Sequence, residues 1–162
     1  LTDLEQIALA DICQLSLNSY QLVSLSASES AIAPNQTITT EYVGLASGFL
    51  SRGVANVVSS LWTVEANSRA LFTIEFYRRF KAGIPPAQAL KQAQQWLRTV
   101  SYSQLAQWYQ DLATQLTDYA PSISAHLTQE ANQLQTDPGK MSESQSPYAH
   151  PYHWAAFTIM GR

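Results

Sequence analysis

Hydrophobic positions along this chain follow two rhythms. One recurs every three or four residues and predicts amphipathic helices; the other is a short uninterrupted run and predicts buried strands. Thr2-Asp-Leu-Glu5 fits a capping box, and Leu4, Ile7, Ala8 and Ile12 follow it at helical spacing. Cys13 falls near the end of that helix and reads as a small buried apolar residue. Leu22-Val-Ser-Leu25 forms the core of a strand over 21–26, apolar enough for a central parallel strand. A loop rich in Ser, Ala, Asn and Pro follows over 26–36. Thr39 or Thr40 can cap the next helix, with Val43, Ala46, Phe49 and Leu50 on its buried face and Gly53 as its stop. Residues 54–62 read as a second strand.

Residues 65–81 predict a helix with Leu71, Ile74, Tyr77 and Phe80 as its stripe, stopped at Gly83. Pro85 or Pro86 opens another helix, which buries Leu90, Ala93, Trp96 and Leu97. A helical hairpin is expected over 101–137. Leu105, Trp108, Tyr109, Leu112 and Leu116 are spaced for its first arm; Ile123, Leu127, Ala131 and Leu134 are spaced for its second, after a break at Pro121. Asp137-Pro-Gly139 is a turn. Residues 140–149 are polar and aperiodic, as in a mobile loop. Trp154-Ala-Ala-Phe-Thr-Ile-Met160 predicts the last strand.

The order is helix, strand, helix, strand, two helices, an inserted helical pair and a strand. That is an α/β layout, with a right-handed βαβ unit at its centre. Three strands make a small sheet. The first of them would have an unpaired edge unless further sheet precedes it. The chain also opens abruptly within a helix signal and without Met. Together these lead us to expect that 1–162 is the C-terminal part of one domain, with 101–149 inserted in it.

Composition narrows the functional classes. Of 162 residues, 46% are apolar and 13% charged, which suits a packed domain. A net charge of −3 without a basic run argues against nucleic acid. No apolar stretch approaches the ~18 residues that would span a bilayer, and the N-terminal residues do not resemble a signal peptide. A single cysteine excludes an intramolecular disulfide. We therefore expect a cytoplasmic protein that does not engage membranes.

The residues that could carry chemistry are few. Ser28 lies just past the first strand, and strand ends are where α/β folds gather their sites. It is a nucleophile, a relic of one, or an ordinary loop serine; the frame Ser26-Ala-Ser28-Glu-Ser30 lacks the glycines of a nucleophile elbow. Glu65 follows the second strand and either joins a site there or complements a helix dipole. Trp62 either walls a pocket or fills the core. His126 reads as a plain helical position, whereas His150 and His153 flank Pro151 before the last strand and could approach a strand-end site. Two histidines without a neighbouring carboxylate or cysteine make a poor zinc site, and no glycine-rich phosphate loop is present, so no cofactor or metal is expected. Arg78 and Arg79 read as a solvated face.

Several segments together resemble a known family. Leu22-Val-Ser-Leu-Ser-Ala-Ser-Glu29 is similar to the Leu-Val-x-Leu-Ser-Ala-Cys-Glu-Thr signature of CHAT domains, the caspase-like domains associated with tetratricopeptide repeats. The segments 41–53 and 54–62, Phe76-Tyr77 and 87–94 resemble successive family elements. His150-Pro-Tyr-His-Trp-Ala-Ala-Phe157 is similar to the family's closing His-Pro-Tyr-x-Trp-Ala-x-Phe. The resemblance implies a caspase-like three-layer α/β/α sandwich, here with an incomplete sheet, and descent from cysteine peptidases. It puts the family's nucleophilic cysteine at Ser28. Glu29, Trp62, Glu65 and His150 become candidates for the walls of a substrate cleft.

Two departures bear on activity. A hydroxyl is hardly ionised near neutral pH, whereas a thiol with a pKa of ~8.5 can be tuned to a thiolate. The family's partner histidine lies upstream of the first strand, and none of the three histidines here matches it. The expectation is a domain inactive as given, with a regulatory or protein-interaction role and a protein or peptide partner. The upstream half of the same domain and tetratricopeptide repeats are further expected partners, and a bacterial source is expected. Family sheets pair through their last strand, so 154–160 could form a homodimer. The alternatives are a peptidase active once joined to an upstream segment, and a non-catalytic interaction domain of unrelated origin. Whether Ser28 is natural or engineered is left open by the sequence.

Overall fold

A computed structural model describes residues 9–25, 38–136 and 145–161. It is a mixed α/β structure with seven helices and a three-stranded sheet among the described residues. The central strand is β2 (Asn56–Ser60), of which Val57, Val58, Ser59 and Ser60 are buried. β1 (Leu22–Ser24) runs parallel to it, with Val23 opposite Val57. β3 (Phe157–Gly161) runs antiparallel on the other side, with Ile159 opposite Val58. The sheet order is therefore β1-β2-β3. Among the described residues β1 has a partner strand on one side only; Leu22 and Val23 are partly buried and Ser24 is exposed.

Alternation along β2 sends successive side chains to opposite faces. On one face Val57 packs with Ala46 and Val54, joined by Val23, Phe49, Leu50 and Met160. Ala46, Phe49 and Leu50 come from α2 (Ile38–Ser51), the crossover between the parallel strands. This helix begins at Ile38, so Thr39 and Thr40 sit within its first turn rather than capping it. The short α1 (Leu9–Ile12) packs near α2 and buries Ile12. Cys13, expected inside, is exposed: the helix ends just before it, and Ile12 takes the inward position. Gly53 closes α2 with φ +98°, and a Cβ there would collide with the Asn18 side chain, so only glycine is free of strain.

The other face is covered by α3 (Ala66–Lys81), whose buried residues are Ser68, Leu71, Phe72, Glu75 and Phe76. These are spaced i, i+3, i+4, i+7 and i+8, a single helical face. It is rotated from the predicted stripe: Ile74, Tyr77 and Phe80 are only partly buried. Two of its five positions are polar, so the apolar pattern alone points to the wrong side. Phe72 stacks on Phe157 of β3 at 3.6 Å and on Phe76 at 6.1 Å. The buried Glu75 carboxylate accepts from Arg78 at 2.7 Å and also from Arg79. Arg79 is thereby drawn to 21% side-chain exposure, so the two arginines are not simply a solvated face. Lys81 ends the helix, and Gly83 beyond it has φ +87°.

α4 (Pro86–Thr99) starts on proline and buries Ala89, Leu90, Ala93 and Leu97. The described chain divides within it into two compact units, 1–94 with 151–162, and 95–150. In the second unit, α5 (Tyr102–Leu116) opens with a capping box between Ser101 and Gln104. α6 (Pro121–Thr136) starts at the proline expected to break the pattern and packs against α5. The Ala113 carbonyl ties the hairpin by accepting from Thr117 at 3.0 Å and from Ser124 at 2.8 Å. Trp96 and Trp108 meet at 5.6 Å. Half of the expected polar loop, residues 140–144, lies outside the described residues. Its end is fixed where Ser146 Oγ donates to the Thr99 carbonyl at 3.0 Å.

Two measurements follow from this packing. Phe72→Ala removes a ring held between two others and should lower stability by about 3–5 kcal/mol, read as a lower urea midpoint at unchanged slope. Burial, reinforced by the Glu130 carboxylate, raises the Tyr109 phenol above its ordinary 10.0. A raised folded pKa gives stability that is complete below the unfolded value and is lost as pH rises toward the folded one. Helical signal should therefore resist denaturant equally at pH 7 and 9 but fall above about pH 10. Tyr109→Phe should flatten that alkaline loss, and an unchanged alkaline profile in the variant would contradict the assignment.

Candidate functional site at the strand ends

β1 and β2 are parallel, so both release the chain at the same end of the sheet. Ser28 and Glu29 follow β1 but lie outside the described residues. What the structure describes is the neighbouring strand end and its supports.

Past Ser60 the chain turns out of the sheet, and the Leu61 amide donates to the Ala156 carbonyl at 2.8 Å. Trp62 is half-buried, and its indole Nε1–H donates to the Tyr152 carbonyl at 3.0 Å. The Trp62 ring thus has a definite job: it ties the end of β2 to the closing segment. Glu65 is the N-cap residue of α3 by backbone geometry, but its side chain makes no capping hydrogen bond. Its carboxylate is about half exposed, at 52%, and lies 3.7 Å from His153 Nδ1.

His153 belongs to α7 (Pro151–Trp154), a single turn whose first carbonyl accepts from the Ala155 amide at 2.9 Å. Trp154 therefore ends a helix instead of starting the last strand, because Pro151 fixes a helical φ at a first turn. The His153 Nδ1 lies 3.3 Å from Ser68 Oγ. Ser68 is fully buried and donates its own proton to the Glu65 carbonyl at 3.1 Å. Its oxygen is left to accept, so the hydrogen-bond network assigns the imidazole proton to Nδ1. Ser68, His153 and Glu65 could be mistaken for a hydrolytic triad. Ser68 has no solvent access, and its hydroxyl is spent on the helix backbone, so the group is structural.

α4 completes the support. Gln94 Nε2 donates to the Trp154 carbonyl at 3.0 Å and to the Phe157 carbonyl at 2.9 Å. The closing His-Pro-Tyr-His-Trp-Ala-Ala-Phe segment is thus held at its backbone by Trp62 and Gln94 and through the His153 side chain by Ser68. His150 is exposed at its start. His126 lies on the exposed side of α6, in the other unit.

A shallow groove runs beside these strand ends between β1, β2 and α3. Ser24 and Leu25 form one wall, and Phe72, Phe76 and Tyr77 the other. Of the sequence candidates, Trp62 and Glu65 come together with His153 at the β2 end. Ser68 and Gln94 were missed by sequence reasoning. Ser68 carried a faint signal, three residues after a strand-end glutamate; Gln94 carried none. Among the described residues every buried side-chain polar atom has a hydrogen-bond partner. No group of three or more potential metal ligands occurs among them, and no helix is long and apolar enough to cross a membrane.

An α/β sheet with helices on both faces and an elaborated strand end defines the class. The chain belongs to the CHAT domain family, whose sequence model matches residues 2–162 and which is caspase-like. Searches among curated proteins and among solved structures returned no match.

The clasp can be tested without knowing a ligand. Gln94→Ala leaves two carbonyls without their donor and should cost about 1–3 kcal/mol. It should also raise amide exchange in 152–161 selectively; uniform exchange across the chain would show that Gln94 does not hold this segment.

Proposed function

We propose that this chain serves a caspase-like domain that binds a protein or peptide at the ends of β1 and β2 and no longer performs cysteine-peptidase chemistry. The observation that carries the reading is Ser28, which stands where the family signature has its nucleophilic cysteine. A serine hydroxyl supplies no appreciable alkoxide near neutral pH, so the change removes the feature on which a Cys-His dyad depends. The histidines of this chain support the reading. His153 is committed to Ser68, and none of the three matches the family's partner histidine. Glu29, Trp62, Glu65 and His150 are proposed as residues around the cleft, and the 101–149 segment as an insertion into the domain. We extend the proposal to pairing through the outer edge of β3, which has a partner strand on one side only among the described residues. A bacterial cytoplasm and neighbouring tetratricopeptide repeats complete the setting, on the strength of the resemblance alone.

A second reading keeps activity: Ser28 is activated by a histidine from elsewhere in the full protein. The parallel strands that end together favour it, since that is where α/β enzymes hold their nucleophiles. A fluorophosphonate probe separates the two. The full-length protein should remain unlabelled, while labelling that disappears in Ser28→Ala would establish a serine hydrolase. In the same protein, Ser28→Cys should create reactivity toward iodoacetamide and cleavage of peptide substrates. A variant that folds, exposes its thiol and cleaves nothing would remove the case for a disabled peptidase.

A further inference from the structure

The face of the sheet beneath α3 is covered unevenly. On the β3 side Phe157 stacks on Phe72. On the β1 side Ser24 stays exposed, and the shallow groove lies between it and the helix. Ser24 is opposite Val58, and Ser60 lies two residues further along β2, so alternation turns both serines toward the groove. From α3, Arg69, Thr73 and Tyr77 line it at four-residue spacing, which is one side of a helix. Arg69 stands one turn into α3, near the end of the sheet where β1 and β2 release the chain. It is partly buried, and it is the one charged residue among the described residues that line the groove. Thr73 Oγ1 donates to the Arg69 carbonyl at 2.8 Å, which spends that proton within the helix. The groove therefore presents a guanidinium and the hydroxyls of Ser24, Ser60 and Tyr77 beside phenylalanine rings.

We propose that this groove is the specificity subsite of the peptide site, and that it takes an acidic side chain whose carboxylate is read by Arg69. The inference rests on the peptide-binding reading above. A guanidinium has five donors in a planar fork, so it can serve a ligand carboxylate while it also bonds within the fold. Hydroxyls that surround it donate to the same anion. No carboxylate opposes the ligand among the described lining residues. Glu65, one turn earlier on α3, stands 3.7 Å from His153 and does not line the groove. Glu75 is buried in its pairs with Arg78 and Arg79. A lysine or arginine side chain would meet Arg69 with like charge and be rejected. A glutamine of the same shape as glutamate would enter, but without the charge that strengthens its hydrogen bonds.

The test uses labelled, amidated hexapeptide pools that differ only in one central residue, fixed as Glu, Gln or Lys, and anisotropy with the full-length protein. The Glu pool should bind about tenfold tighter than the Gln pool, and the Lys pool should be weakest. The Glu advantage should narrow as salt is raised. Arg69→Met keeps the apolar stem and removes the charge; it should equalise Glu and Gln while leaving the affinity for the Gln pool near that of the native protein. Arg69→Lys should restore part of the preference. Urea midpoints would verify that the variants are folded. Should Arg69→Met fail to fold, the salt series on the native protein decides, since it needs no substitution. Equal binding of the Glu and Gln pools, a preference indifferent to salt, or one that survives Arg69→Met would overturn this subsite while leaving peptide binding intact. No binding of any pool would overturn the peptide-binding reading and the subsite with it.

Discussion

Everything in the first unit depends on β2 being closed on four sides. Its edges pair with β1 and β3, and its faces are covered by α2 and α3. A strand buried in this way cannot tolerate a register slip, because a shift of one residue would exchange Val57 and Val58 between two differently shaped cores. Fixed register fixes where the strand ends. The turn that carries Leu61, Trp62 and Glu65 therefore leaves the sheet at one defined place. The parallel pairing of β1 makes residue 25 leave at the same end.

The closing segment converts that fixed position into a rigid one. It returns from the other compact unit, turns once as α7 and enters β3. Its carbonyls at Tyr152, Trp154 and Phe157 are directed to side-chain donors on two other elements. A backbone group buried without a partner is costly, so these donors matter more to the fold than their exposed counterparts would. The Tyr152 carbonyl and the His153 ring fasten the strand end, through Trp62 and Ser68.

Much of the architecture was readable from the sequence, and the failures have specific causes. The strand cores at 22–24 and 56–60, the crossover helix and the two-helix hairpin all follow from runs and periods. The face of α3 did not, because Ser68 and Glu75 occupy two of its inward positions and break the apolar rhythm. Each is satisfied by a partner that pattern alone does not reveal: His153 for Ser68, and Arg78 and Arg79 for Glu75. Trp154 was misread as strand because its aromatic and small neighbours have high strand propensity, while the proline at 151 imposes a helical turn first. Cys13 was placed inside by residue type, and the end of α1 one residue earlier turned it out. Ser28 and Glu29 lie outside the described residues, so the structure does not test the nucleophile position. Ser28 emerges only from the order of motifs, since nothing in its own surroundings of small polar residues distinguishes it.

A serine at residue 28 and a rigid strand end are separate facts with one physical consequence. Catalysis requires a reactive group held against a substrate; recognition requires only the holding. The elements that hold, β2, the Trp62 tie, the Gln94 bridge and the His153 contact, are all built from buried or half-buried groups whose loss would cost stability as well as position. A domain under selection for binding alone would therefore be expected to keep these elements and relax the reactive group. Under the reading proposed above, the clasp with a hydroxyl at residue 28 is that combination.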